Sequence, residues 1–581
     1  SSDVCSSDLF ISLAFVSVMR DILEGLYNTD TEEGKKKSQW CSFLFYLCLL
    51  ASFVISCVAS YRASKGYINK TLFTYQFRVN NKDVNFPAGT PVSLDWNGEV
   101  QRGGGFGIYR DIYASSNPHE MKNLRTEVVG GHIIVNAYNG WLMAMYVDGE
   151  DVSGTTYMET SSKGITVVDH LIKLNETKLV LVGSNRLLPV EATDSFDGKK
   201  HTIKLTLGQP KTITDMPKGQ FPHVDDLQDG KSVAYIFEDL ENYRLMAGYA
   251  VWRGEGESAY MDIKPAEVAN EDCVYSYHGI AGMRGDTFLI AATGKANNGT
   301  ISPEPFAPIR VKVAHITKDG KMTFGDWKMR IFSDNVNWFA MDNFNGYMAV
   351  ISYYDETEGN GVVAMAILMD GPDSVRFGGY TLIESGGAMK PETVSHISMR
   401  ILSDSRFGVL FPDASNNGNL IFMMAERTDN NDISRVGANF IIARSGGRRQ
   451  SKVSFNFAVG RIDWSRFILM DSYVRDNVNY VGVNVGYHLA YPVGITTSRG
   501  KTSKYIQFHG VYKYTDGTKL VPGYTYYTNS KGALVRGRAY GWNHAEFGSY
   551  YVVSNVTYEI CALHNQIGIA VSEKELLIRT Y

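Results

Sequence analysis

Cysteine is scarce in this chain, six in 581 residues, and four of the six (Cys5, Cys41, Cys48 and Cys57) fall within the first 57 positions. That distribution excludes a disulfide framework as the source of stability. One bridge between Cys273 and Cys561 would suit an oxidising compartment, and two independent buried thiols are the alternative. Charge of one sign is also missing. With 57 Lys and Arg against 61 Asp and Glu, nothing draws the chain toward nucleic acid, which is excluded as a partner. Sustained helical periodicity is absent after the first sixty residues. So are His-Glu-x-x-His, paired Cys-x-x-Cys and Gly-x-Ser-x-Gly, so no metal and no cofactor is implied. Gly103-Gly-Gly-Phe-Gly107 lacks the following Lys-Ser/Thr and helix of a phosphate loop and reads as a flexible connection.

Aromatic residues and glycine are plentiful: 35 Tyr, 28 Phe and 56 Gly against 16 Pro. Many short strands joined by tight turns need that mixture, which makes the chain all-β. A strand-like element recurs as His132–Tyr138, Lys178–Gly183, Val233–Phe237, Phe288–Ala292, Tyr347–Tyr353, Phe407–Phe411 and Phe467–Met470. The intervals, roughly 45 to 60 residues, exceed what one hairpin needs and suit a four-stranded blade. In the fifth unit all four strands can be traced. Trp338–Met341 is innermost, then Tyr347–Tyr354, Val362–Leu368 and Val375–Ile383, with Asn343–Gly346, Glu356–Gly361 and Asp370–Asp373 as turns. The sixth unit repeats the order from His396 to Ile442. Closing such units in a ring leaves few free strand edges. The expected fold is therefore a β-propeller of about seven blades over 124–492, and a small β-barrel or sandwich over 493–581.

Ahead of these, the first nine residues carry Ser-Ser-Asp twice and read as translated adapter sequence, so 1–18 is set aside as an upstream artefact before Met19. Residues 19–41 would be a short cytoplasmic tail. Ser42–Ser60 holds nineteen residues without a charge, close to what the ~30 Å hydrocarbon core asks of a transmembrane helix. Lysines 35 to 37 precede it, and Arg62, Lys65 and Lys70 follow, so flanking charge leaves orientation open. The sequons at Asn69, Asn175, Asn298 and Asn555 all follow the span and favour an extracellular C-terminal side. Val58-Ala59-Ser60 and Val54-Ile55-Ser56-Cys57 offer a cleaved signal or a lipoprotein site as alternatives to a signal anchor. Residues 61–123 form a stalk whose strand candidates, such as Thr74–Val79, either close the ring or make a separate small β domain.

Units that end near Phe-Gly, as in Thr323-Phe-Gly325 and Arg376-Phe-Gly378, resemble the β-propeller repeat proteins of cell surfaces, over about two thirds of the chain. In the tail, Leu520-Val-Pro-Gly-Tyr-Thr-Tyr-Tyr527 is followed by a Gly turn and the strand Ile567-Gly-Ile-Ala570. This is similar to small β domains of phage tail-fibre and decoration proteins. Both resemblances imply binding, adhesion or a structural surface role.

Two sets of carboxylates are candidate site residues. Asp239, Asp355, Asp413 and Asp471 recur just after the second strand, where they would line one face and bind cations or sugar hydroxyls, or would simply cap turns. Asp169, Asp225, Asp342 and Asp463 would project near a central channel, where a glycosidase needs a pair ~5 to 9 Å apart. Asp-boxes of the Ser-x-Asp-x-Gly-x-Thr-Trp form are absent. The reading from sequence is a surface-anchored adhesion or ligand-binding propeller, its ligand protein or carbohydrate, with more reason to be non-catalytic than an enzyme. Its rivals are an exported carbohydrate-active hydrolase on the same ring and a structural fibre component.

Overall fold

The computed structural model describes residues 74–579 apart from several connecting segments, the longest being 79–86, 302–308, 330–335, 385–396, 443–456 and 541–549, with 272–276 among the shorter ones. The span 42–60, Asn69, Cys273, Asn298, Asn555 and the basic loop 445–452 lie outside the described residues. The chain divides into two units, 1–75 and 76–581, and the repeats and the tail both lie in the second. Among the described residues there is no α-helix, only strands and two short 3-10 turns, and no helix long and apolar enough to cross a membrane.

The second strand of each repeat is a nearly continuous apolar run. All eight residues of Met348–Asp355 are buried, as are all seven of Thr287–Thr293. Such runs cannot sit in a sheet with one wet face; both faces must be covered. The architecture supplies that cover with seven antiparallel sheets in succession, four of four strands and three with a fifth short strand beside the main four. Their inner strands are Arg125–Val129, His170–Lys173, His223–Asp226, Tyr277–Arg284, Val336–Asn343, Ser398–Ile401 and Phe457–Arg461, which define sheets 1 to 7. The repeated elements seen in the sequence are the second strands; Lys178–Gly183, for example, pairs outward with Arg186–Phe196 and inward with His170–Lys173.

No sheet closes on itself, yet the inner strands touch in cyclic order from sheet 1 to sheet 7, and the seventh touches the first. Between neighbours lie seven separate apolar clusters, one for each junction. Sheets 7 and 1, for instance, meet through Ile134, Met143, Met145, Ile468, Met470 and Val483. Each fully buried Leu, Ile or Phe contributes about 1.5–3 kcal/mol, so the junctions hold the ring together. The all-β fold is propeller-like.

Sheet 7 takes its fourth strand from the beginning of the repeat region: Val478–Tyr487 pairs with Gly107–Asn117. The strand closing the series thus lies beyond the Thr74–Val79 candidate. Gly103–Gly107, read from sequence as a flexible connection, is instead packed. A Cβ at Gly103 would stand 2.5 Å from Thr528 Cγ2, and one at Gly105 2.3 Å from the Gln101 side chain. Glycine is required there by close approach rather than by flexibility.

The tail also differs from a self-contained barrel or sandwich. Its largest sheet has seven strands, and one internal pair, Leu534–Tyr540 with Val556–Ala562, is parallel. Beside it Pro492–Thr496 pairs with Pro91–Leu94, which pairs with Val100–Arg102. Pro91–Leu94 and Val100–Arg102 are therefore paired in one sheet with a strand of the tail region rather than forming a separate stalk. Ile495 joins Tyr512, Tyr526 and Leu576 in the tail's own core. The sequence reading did not single out these strands, whose partners lie four hundred residues away.

Candidate functional site

Inner strands of adjacent sheets are not joined by a ladder, so their polar groups need other partners. Side chains supply them. The Asp225 carboxylate in sheet 3 accepts the Gly282 N–H of sheet 4 at 2.9 Å. Asp342 in sheet 5 accepts the Ile401 N–H of sheet 6 at 2.8 Å. Asn343 donates to the Met283 carbonyl at 2.9 Å, and Arg125 of sheet 1 donates to the Asp169 carbonyl beside sheet 2 at 2.7 Å. At the centre of this network stands Arg400 of sheet 6. It pairs with Glu127 across the ring junctions at 2.9 Å and approaches Asp342 at 4.0 Å.

The Arg400 side chain retains 24 % of its surface although carboxylates surround it. Burial works against its charge, but Glu127, Asp342, Asp225 and Asp226 more than offset that and hold the guanidinium protonated. The carboxylates outnumber the cations. Burial, reinforced by Asp226 and Asp342, pushes the Asp225 carboxyl well up. Burial likewise lifts Asp226 to about 7 against the opposing pull of Arg400. Asp169 also rises to about 7 through burial, with Arg125 opposing.

Of the channel candidates, then, Asp225 and Asp342 are gathered around Arg400, while Asp169 stands before the inner strand of sheet 2. Asp463 is elsewhere. Its carboxylate accepts from Ser465 N and Arg466 N and holds Arg466 Nε at 2.7 Å, which fixes the turn after the inner strand of sheet 7. Asp239, Asp355, Asp413 and Asp471 end the second strands of sheets 3, 5 and 6 and occupy the second strand of sheet 7, one per sheet. They are not brought together. Asp239 caps its hairpin by accepting from Glu241 N and Asn242 N, while Asp355 and Asp471 are only 4 % and 3 % exposed. Asn175 accepts from Thr177 N and Lys178 N and donates its amide N–H to the Gly230 carbonyl at 3.0 Å. Cys561 is buried in the tail strand Val556–Ala562.

Two features were not singled out from sequence. Three histidines, His170, His223 and His278, begin or nearly begin the inner strands of sheets 2, 3 and 4, at the channel end opposite the turns that follow those strands. Their intervals match the repeat, and that phase was the available signal. Burial keeps all three neutral: it lowers His223 to about 4 and sends His170 and His278 well below the ordinary value. The second feature is a cavity of about 820 Å³ among the turns of sheets 3 to 5. Lys231, Arg284, Asp286, His315, Tyr347 and Pro372 help to line it. Tyr347 is 60 % exposed, and Arg284 lies over its ring and donates to its hydroxyl at 2.6 Å. The loops that build this cavity are far apart in sequence, so no local motif marks it.

No protein-family model matches this chain. No curated protein matches its sequence either. Among solved structures, it is similar to a Trypanosoma rangeli sialidase at 15 % identity and TM-score 0.32, covering 71 % of this chain and 59 % of that one. A protein of unknown function from Dyadobacter fermentans is similar at 13 % identity and TM-score 0.33, over 65 % and 98 %. The Saccharomyces cerevisiae core factor is similar at 7 % identity and TM-score 0.37, over 65 % and 61 %. Likenesses this distant carry nothing about activity.

Proposed function

We propose that this chain is a seven-bladed β-propeller that binds a polar ligand, carbohydrate by preference, in the cavity between the turns of sheets 3 to 5. The exposed Tyr347 ring with Arg284 held against it carries the reading. An accessible aromatic face covers the apolar face of a sugar, and the guanidinium beside it can bond hydroxyls. Display at the cell surface through the apolar span 42–60 belongs to the same proposal, supported by the span's length and by the sequons that follow it.

The axial carboxylates favour binding over hydrolysis, because Asp225 and Asp342 already accept backbone N–H groups of the next sheet and Glu127 is paired with Arg400. A hydrolase is the second reading: burial lifts the Asp226 carboxyl to about 7, the range of a general acid, although its oxygens also accept from the Gln228 N–H and side-chain amide. Glycan-array screening followed by calorimetry separates the two. Tyr347→Ala and Arg284→Ala should each weaken the captured glycan at least tenfold. Unchanged affinity in both would end the cavity reading, while glycoside cleavage abolished by Asp226→Asn would establish the hydrolase.

A further inference from the structure

The polar groups on the wall of the cavity between sheets 3 to 5 are not equally available to a ligand. Its two carboxylates are already engaged. Asp229 closes its own turn, accepting the Lys231 N–H at 2.9 Å, the Ser232 N–H at 2.7 Å and the Ser232 hydroxyl at 2.7 Å. Asp286 accepts from the Thr287 hydroxyl at 3.0 Å; that hydroxyl also meets His315 Nδ1 at 2.8 Å, and His315 Nε2 bonds the Pro372 carbonyl. The cations are the reverse. Lys231 is exposed, and among the described residues its ammonium has no ion pair or hydrogen bond. Arg284 gives one N–H to the Tyr347 hydroxyl and pairs with no carboxylate among the described residues, which leaves its other donors open. What faces a ligand is therefore two cations beside an aromatic ring.

The turns that carry these groups are tied to one another. The Gly285 N–H donates to the Leu227 carbonyl at 2.7 Å, which joins the turn after Arg284 to the turn before Lys231. The Asn343 amide donates to the Met283 carbonyl at 2.9 Å, and a Cβ at Gly346 would stand 3.2 Å from Arg284 Cβ, so the turn that leads to Tyr347 is held against the same strand end. A wall fixed before binding loses little freedom when a ligand arrives. We propose, on the carbohydrate reading of this cavity, that it selects an acidic oligosaccharide, with a uronate carboxylate between Lys231 and Arg284 and the sugar ring on Tyr347. A planar guanidinium matches a planar carboxylate, and charge-assisted bonds are stronger than those to a neutral hydroxyl. A neutral sugar would leave both cations without a counter-charge. Lys231 is then the residue that sets specificity, adding a point charge beside the guanidinium.

The test is calorimetric titration of the full chain with an oligogalacturonate and with the same oligosaccharide reduced at its carboxyls. At low salt the acid form should bind about tenfold tighter than the reduced form, the effect of one charge-assisted bond, and the preference should shrink at high salt. Lys231→Gln should cut it to about twofold or less and leave the affinity for the reduced form unchanged, whereas Lys231→Arg should keep it. Lys231 is exposed, so neither variant threatens the fold. Equal affinity for the two forms, both lost in Tyr347→Ala, overturns the acidic selection and leaves the carbohydrate reading standing. A preference undiminished in Lys231→Gln overturns it as well, since the charge is then read elsewhere. A sulfated galactan that outbinds the uronate and depends equally on Lys231 assigns the anion to sulfate and overturns the carboxylate. Binding of neither form also overturns the selection, and the capture of neutral glycans on the array then decides the carbohydrate reading separately.

Discussion

Asp169→Asn should flatten the pH dependence of stability. Asp169 precedes the inner strand of sheet 2, where its backbone N–H donates to Val182 and its carbonyl accepts from Arg125. One carboxylate oxygen, Oδ2, is buried without a partner. Burial is the chief reason its carboxyl rises from 3.8 to about 7, against Arg125 and the Ser184 N–H, which favour the ionised form. Below about pH 4 the group is protonated whether the chain is folded or not. Between about 4 and 7 only the unfolded chain ionises, so stability falls as pH rises through that window and levels off once the folded group also ionises. The gap is worth about 4 kcal/mol at most, and partial access to water cuts this to roughly 2 kcal/mol.

Asparagine keeps the shape and cannot ionise. Thermal unfolding of both proteins at pH 5 and pH 8 isolates the effect as the difference of two differences. The neutral histidines cost stability as pH falls below about 6.5, since the unfolded chain then takes up protons that the folded one refuses. That contribution is common to both proteins and cancels. For about four hundred ordered residues, 2 kcal/mol is a melting difference of about 2 °C. Because part of the window lies below pH 5, Asp169→Asn should lose about 1 °C less than wild type between pH 5 and pH 8. Equal losses would show that Asp169 is ionised in the folded chain at pH 5 and that its burial is overstated.

Closure of the ring can be probed at Gly486, where a Cβ would stand 2.5 Å from Phe467 Cζ and 2.7 Å from Ile108 Cδ1. Gly486→Val should cost about 1–3 kcal/mol by forcing the closing strand Gly107–Asn117 away, read as faster protease cleavage within 103–124; an unchanged digest would refute the closure. Arg406 is 1 % exposed and bonds Glu426 Oε2 at 3.1 Å and the His488 carbonyl. Arg406→Met should cost about 1–3 kcal/mol because it leaves the buried His488 carbonyl without its donor and the partly exposed Glu426 carboxylate without its cation, with a denaturant midpoint within error of wild type counting against it. Asn175→Ala should cost about 1–2 kcal/mol through loss of the bond to Gly230, and the same melts would expose a null effect.

How much of this was legible in the sequence depended on the range of the interaction. Lys178–Gly183 and Val362–Leu368 announced themselves because a strand covered on both faces must be apolar throughout. Asn139-Gly140, whose positive φ values of 27° and 76° turn the hairpin between Tyr138 and Trp141, is likewise local chemistry. The strand Gly107–Asn117 was different. Its register with Val478–Tyr487 is set by a partner nearly four hundred residues on, and its sequence, Gly-Ile-Tyr-Arg-Asp-Ile-Tyr-Ala-Ser-Ser-Asn, does not name that partner. The same limit separated Asp225 from Asp239. Both are acidic residues near strand ends, and both follow the repeat. What distinguishes them is that an inner strand faces its neighbours across the axis, so Asp225 meets Gly282 and the field of Arg400, whereas Asp239 meets only its own turn. A repeat places each residue within its unit, and the chemistry arises between units. The histidines make the point most strongly, for each is unremarked in its own strand, and only the cyclic order of sheets 2, 3 and 4 brings the rings of His170, His223 and His278 into contact.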